Sequence, residues 1–311
     1  MNSGSPPDIV EGVHQPIVIF VHVYHLDVWN EVVEWIELTV KRPFHLVLTT
    51  PHAPALLRVP DGPFLRSKRT IVTPNGGRDI RPFLQALCVP LDYEIGLKLH
   101  TKRSTHRLEG GDWGRMLVRS LLPDSETIDR TVERMSRDPR FAMVVPDGML
   151  VSVGHWMGAN RGPMLRAANR LGLQGRTVWR PTSVFGAGSM FWFRHEALEI
   201  LERSDLDDLF EPESGQVDGT MAHALERLFA PIAEFSTGGV ITTMQGAAVS
   251  QECLPIEQLR AQSRQMADQS TVYLRRPPRY VRWVLRIPGL RALYAALPSR
   301  WRQWIRNRLR R

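Results

Sequence analysis

Cysteine is scarce: Cys88 and Cys253 are the only two in 311 residues, and their spacing is not that of a metal site. A disulfide-stapled secreted scaffold is therefore excluded, and a reducing, cytoplasmic setting is expected. No uninterrupted apolar run has the length of a membrane-spanning helix. Met1 to Gly12 lacks a basic stretch followed by an apolar core, so no secretory signal is expected. There is no GxxxxGK[ST] phosphate loop, no HExxH and no GxSxG elbow. Internal repeats and long low-complexity segments are also missing.

Acidic residues are absent from Tyr273 to Arg311, which holds twelve arginines. The whole chain is +8, so the remainder is net acidic. That asymmetry points to a local anionic partner for the tail. Pro277, Pro278, Pro288 and Pro298 divide the tail into short segments. Tyr280, Trp283, Val284 and Ile287 share one helical face, as do Leu290, Leu293, Tyr294 and Leu297, then Trp301, Trp304 and Ile305. Aromatic anchors opposite arginines suit an anionic membrane surface. A helical appendage packed on the body is the alternative. No nucleic-acid partner is expected, because no reading module accompanies the charge.

What is present is strand and helix in alternation. Ile17 to Tyr24 is a continuous apolar run rich in β-branched residues, the pattern of a buried parallel strand. Asp27 can cap the helix that follows, whose buried face carries Val28, Val32, Trp35 and Ile36. Phe44–Thr49, Thr70–Thr73 and Tyr93–His100 read as strands, with a helix opening at Asp79. Ser125–Arg137 reads as a helix, Phe141–Val145 as a strand and Gly186–Phe193 as a glycine-rich entry into another. A helix spans His195–Arg203, and Asp218 can cap one running to about Phe229. This order predicts an α/β fold with helices on both faces of the sheet. The body is expected to span 1–252 and the basic helical tail 253–311.

Ligands on such sheets sit beyond the carboxyl ends of the strands. His22, His25, Asn75 to Asp79 and His100 to Arg103 are therefore expected near one another. In Asn75-Gly-Gly-Arg-Asp79 the glycines permit close ligand approach, Arg78 can grip phosphate and Asp79 can bind sugar or ribose hydroxyls. A tight turn with Asp79 as a plain cap is the alternative. Lys98, His100, Lys102 and Arg103 gather cations at one strand end, which suits a diphosphate. Asp218, before a late helix, can accept a proton or merely cap. His155, Trp156 and Asn160, with Asp112 and Trp113, offer aromatic and polar groups for a sugar ring, or else the tryptophans anchor the core.

Val21-His-Val-Tyr24, Asn75-Gly-Gly-Arg-Asp79, Lys98-Leu-His-Thr-Lys102, Gly188-Ser-Met-Phe-Trp-Phe-Arg194 and Gln216-Val-Asp-Gly219 occur in that order. The ordered set resembles the rhamnan synthesis protein F family over about residues 15–240. It is also similar, more loosely, to family-2-type glycosyltransferases, which implies a GT-A-like (Rossmann-like) mixed sheet. The resemblance implies transfer of a sugar, rhamnose among the candidates, from a nucleotide-sugar donor to a lipid-linked or growing cell-surface polysaccharide. Asp218 would be the base of an inverting reaction. Donor contacts fall on Asn75, Arg78, Asp79, Lys98, His100 and Lys102; acceptor contacts fall on Arg103, Asp112, Trp113, His155, Trp156 and Asn160.

The sequence departs from that pattern where a metal-binding DxD is expected, since Leu99-His-Thr-Lys102 stands there. The expectation is accordingly no cofactor and no metal, with Lys98, His100 and Lys102 neutralising the donor diphosphate; a divalent metal held by Asp79 or His100 is the alternative. Partner glycosyltransferases and attachment to the inner face of the plasma membrane are further expectations. A non-catalytic glycan-binding or scaffolding subunit is the alternative reading.

Overall fold

A computed structural model describes residues 15–101, 110–173, 178–216, 218–248 and 254–269. The tail from 270 onward lies outside the described residues. The chain opens with β1 (Ile17–His22), α1 (Leu26–Thr39), β2 (Phe44–Thr50), β3 (Leu65–Val72), α2 (Ile80–Leu87) and β4 (Ile95–His100). Next come α3 (Gly110–Leu121), α4 (Ser125–Arg137), β5 (Phe141–Val145), β6 (Leu150–Ser152) and α5 (Arg161–Arg170). It continues through β7 (Val184–Gly186), β8 (Phe191–Arg194), α6 (His195–Glu202), α7 (Met221–Thr237), β9 (Val240–Thr243), α8 (Met244–Ala248) and α9 (Ile256–Met266).

Seven strands form one sheet in the order β3-β2-β1-β4-β8-β5-β9, and β6 pairs with β7 in a small second one. The half from β3 to β4 is parallel; β8 runs antiparallel to both neighbours; β5 and β9 are parallel to each other. This is a mixed α/β sheet with helices on both faces, as the strand–helix order predicts. Its central strands are apolar because both faces are covered. Edge strand β3 instead exposes Arg66, Lys68 and Arg69, and such charges discourage edge-to-edge pairing.

Alternation along β8 shows the two layers. Trp192 turns to one side, where its indole N–H donates to Leu121 O of α3 at 3.0 Å. Phe191 and Phe193 turn to the other and meet Phe83 of α2 edge-on at 6.1 and 5.8 Å. Phe229 of α7 joins the same cluster, 5.7 Å from Phe83. Gly96 is what lets the Phe193 ring lie over β4, since a Cβ there would stand 2.5 Å from it.

Several boundaries differ from expectation for local reasons. Helix α1 starts at Leu26 with His25 at its N-cap, and Asp27 falls in the first turn. Helix α7 starts at Met221, and Thr220 is its N-cap. The glycine-rich run does not form one strand: it breaks into β7 and β8 around Gly188 (φ 99°) and Ser189 (φ 48°), both left-handed. Beyond the expected boundary at 252, α9 packs on the sheet edge. Its Leu259 is buried, Ser263 Oγ donates to Ile241 O of β9, and Asp268 accepts from Ser152 N at 3.1 Å. Among the described residues no helix is long and apolar enough to cross a membrane.

Candidate functional site

The carboxyl ends of the parallel strands carry an aligned polar row. In register, His22 of β1 stands opposite Thr49 of β2 and His100 of β4. His22 Nδ1 lies 3.0 Å from Thr49 Oγ1. Just beyond, Thr101 Oγ1 accepts from the backbone N–H of Tyr24 and of His25, both at 2.8 Å, fixing the turn into α1.

Asp79 stands above this row. Gly77 and Arg78 before it are both left-handed, with φ of 67° and 56°. A Cβ on Gly77 would lie 2.4 Å from Arg81 Cβ and 2.7 Å from Phe210, so only glycine fits this bend. The bend turns the Asp79 side chain away from capping α2 and toward β4. Lys98 Nζ donates to Asp79 Oδ2 at 2.6 Å, to Ser189 O at 2.6 Å and to Ser189 Oγ at 3.2 Å. Ser189 Oγ donates to the same Asp79 oxygen, and His100 Nδ1 lies 3.3 Å from it. Lys98 is 1% exposed, and its ammonium sits 5.2 to 6.0 Å from the ring centres of Phe83, Phe191 and Phe229. An ion this deep is tolerable only because carboxylate, carbonyl and π-faces replace its water.

Burial pushes His22 down from 6.5 to about 4; Asp79 opposes the shift, and Lys98 and His52 add to it. Between those two values the unfolded chain binds a proton that the folded chain does not. Stability is therefore lost as pH falls from 6.5 to about 4. The expected loss is about 2–3 kcal/mol. Urea midpoints of wild type and His22→Gln across this range check it: the variant should show a flatter slope, and parallel slopes would contradict the assignment.

A second cluster forms around Asp218. Its carboxylate accepts from Ala159 N at 3.0 Å and Asn160 Nδ2 at 2.6 Å, and Arg227 Nη2 stands 3.5 Å away. Gly158 (φ 52°) permits this approach, for its Cβ would lie 2.0 Å from Asp218 Oδ2. Arg227, 9% exposed, also donates to Trp156 O at 2.8 Å and His223 O at 2.7 Å, tying the 155–160 loop to α7. Burial works to raise the Asp218 pKa. Donation from Ala159 N–H and Asn160, with the Arg227 charge and Gly219 N–H, outweighs it and holds the group below the usual carboxylate range. Asp218 is thus an ionised, one-third exposed carboxylate and not a helix cap; Thr220 performs that task.

The two clusters meet where the Arg78 guanidinium donates to Gln216 O. His223, buried beside them, shares a 2.7 Å hydrogen bond with Thr220 Oγ1. Its pKa is lowered by burial first and by Arg78 second. His155 and Trp156 rings lie 5.6 Å apart. Trp113 is buried, with its N–H directed to Met149 Sδ at 3.4 Å. Lys102 and Arg103 lie outside the described residues, as does the side chain of Asp112. No group of three or more His, Cys, Asp or Glu among the described residues is placed to hold a metal.

Sequence reasoning named Asp79, Lys98 and His100 together, and the structure joins them. It also joins Asn160 to Asp218 across 58 positions. It missed Ser189, Gly158 and Arg227, and it missed Glu226, whose Oε1 accepts from Gly188 N at 2.8 Å. The glycine-rich stretch was the only signal for Ser189; Arg227 gave none.

The sequence profile described as rhamnan synthesis protein F matches residues 7–236. Two curated relatives from strains of Xanthomonas campestris pv. campestris, each an uncharacterized protein WxcX, are 34% identical over 249 residues. That alignment covers 77% of this chain but 34% of the relatives' length, so the chain spans about a third of them. Among solved structures, S. aureus TarS 1–349 aligns over 81% of this chain and 69% of its own, at 11% identity and a TM-score of 0.34, too distant to bear on the assignment. With the profile covering well over half of its length, the chain belongs to the rhamnan synthesis protein F family.

Proposed function

We propose that this chain is a glycosyltransferase of polysaccharide biosynthesis that moves a sugar from a nucleotide-sugar donor to a lipid-linked or growing glycan. The observation that carries the reading is the ionised, accessible Asp218 carboxylate, in a loop that Arg78 ties to the Asp79 turn at the carboxyl edge of the sheet. Asn75, Arg78 and Asp79 form the donor side, and Lys102 is assigned to it from the sequence. Lys98 and His100 act there by holding Asp79, as the burial of Lys98 dictates. His155 and Trp156 are assigned to the acceptor side, with Asp112 and Arg103; Asn160, fully buried, acts by holding Asp218, and Trp113 packs in the core against Met149.

In the reaction, Asp218 takes the proton of an acceptor hydroxyl. The acceptor oxygen bonds to the anomeric carbon from the face opposite the nucleotide. The anomeric C–O bond breaks, and its electron pair leaves with the nucleoside diphosphate. The configuration inverts. Cationic side chains take the part that a metal plays in DxD enzymes. The arginine-rich tail from Tyr273 to Arg311 would hold the enzyme at an anionic membrane surface.

One observation favours a non-catalytic, glycan-binding subunit instead: Asp79 and Lys98 neutralise each other. Calorimetric titration with dTDP-, UDP- and GDP-sugars, with and without EDTA, separates the readings. The enzyme reading expects saturable binding of one donor that EDTA leaves unchanged, weakened about ten- to a hundredfold by Arg78→Ala. A folded sample that binds none of them sinks it.

A further inference from the structure

A cavity of about 370 Å³ lies between α9 and the edge strand β9. Its floor is apolar, made by Phe141, Val240, Leu259 and Met266. Its rim is amide, made by Gln245, Gln262, Gln265 and Gln269. None of the described residues lining it is charged, in a chain where 23% of residues are. Gly246 helps keep it open: a Cβ there would crowd Thr242 Oγ1 at 2.2 Å and approach Met266 Cε at 3.5 Å.

This lining discriminates among ligands. A nucleotide or lipid phosphate would find no counter-charge here. A wholly apolar ligand would strip water from the amides and return nothing. A sugar presents C–H faces to an apolar floor and hydroxyls to a rim. Each Gln side chain carries both an acceptor and donors, so it can meet a hydroxyl in either sense. The volume lies within the range of small-ligand sites. The groove is also held in place: α9 is fastened through Ser263 to β9 and through Asp268 to Ser152, on the strand that leads into the 155–160 loop.

We propose that this groove is an additional binding site for a neutral glycan, gripping part of the polysaccharide chain away from the Asp218 loop. The ligand class follows from the lining; only its identification with the product glycan rests on the transferase reading. The test uses the full chain with ¹³C-methyl methionine, Met266 as reporter (assigned through Met266→Leu), and a short neutral rhamnan oligosaccharide as probe. The expected result is a saturable shift of the Met266 methyl, with affinity lowered about tenfold or more in Gln262→Ala/Gln265→Ala and retained in Asp218→Asn. Gln265 is exposed and Gln262 half-buried on α9, where alanine favours the helix. No Met266 shift, a shift indifferent to the double substitution, or an equal shift with dTDP would each overturn the proposal. A glycan-dependent shift without any donor transfer would leave the groove standing and sink the enzyme reading alone.

Discussion

Asp218→Asn is expected to lower sugar transfer by about 10²–10⁴-fold, the range for losing a positioned general base, while donor affinity stays unchanged. The substitution keeps the shape of the side chain, and one oxygen still accepts from Ala159 N–H or Asn160. What disappears is the negative charge that receives the acceptor proton. Because local donors hold Asp218 below the ordinary carboxylate range, wild-type transfer should persist into mildly acidic solution and fail only as that group protonates. The residual rate of the variant should lack this acidic limb. A variant that retains wild-type turnover would move the base elsewhere, and Glu226, bound to the Gly188 turn, would be the next carboxylate to test.

The second large effect concerns stability. Lys98→Met should destabilise the fold by about 3–5 kcal/mol, because it strands the Asp79 carboxylate near Ser189 and His100 without its main counter-charge. For a chain of this size that is a fall of about 10 °C in Tm. Replacing both partners, as Lys98→Met/Asp79→Leu, should recover much of the loss, since an apolar pair leaves no buried charge uncompensated. Thermal melts of the two single variants and the double variant decide the matter. Additive losses would contradict the coupling that burial and the 2.6 Å contact imply.

Much of the fold was legible because burial writes itself into composition. The β-branched run of β1 and the amphipathic spacing of α4 follow from strand and helix periodicity, and α4 falls on Ser125–Arg137 as read. The site was legible in part. Lys98 stood out as a cation inside an apolar strand, but spacing cannot say that its partners are Asp79, 19 positions earlier at the turn into α2, and Ser189, 91 positions later. Asp218 read as a cap at least as well as a base, because only three-dimensional placement shows its carboxylate turned to Ala159 and Asn160. The break at Gly188–Ser189 was hidden for a different reason. Phe185 and Phe191 to Phe193 are buried on both sides of it, so apolar patterning alone suggests one strand. Backbone sign, which glycine permits but does not announce, ends it there. Helix α9 was overlooked because only Leu259 and Ser263 mark its buried face, and the rest of it is polar.

The central claim is that this chain transfers sugar by single displacement. The most direct measurement is NMR of the product made by the purified chain from whichever nucleotide sugar it binds, together with the release of nucleoside diphosphate. Stoichiometric release with the anomeric configuration opposite to that of the donor, lost in Asp218→Asn, is the predicted result. A bound donor that is never turned over, or a product that retains the donor configuration, would contradict it.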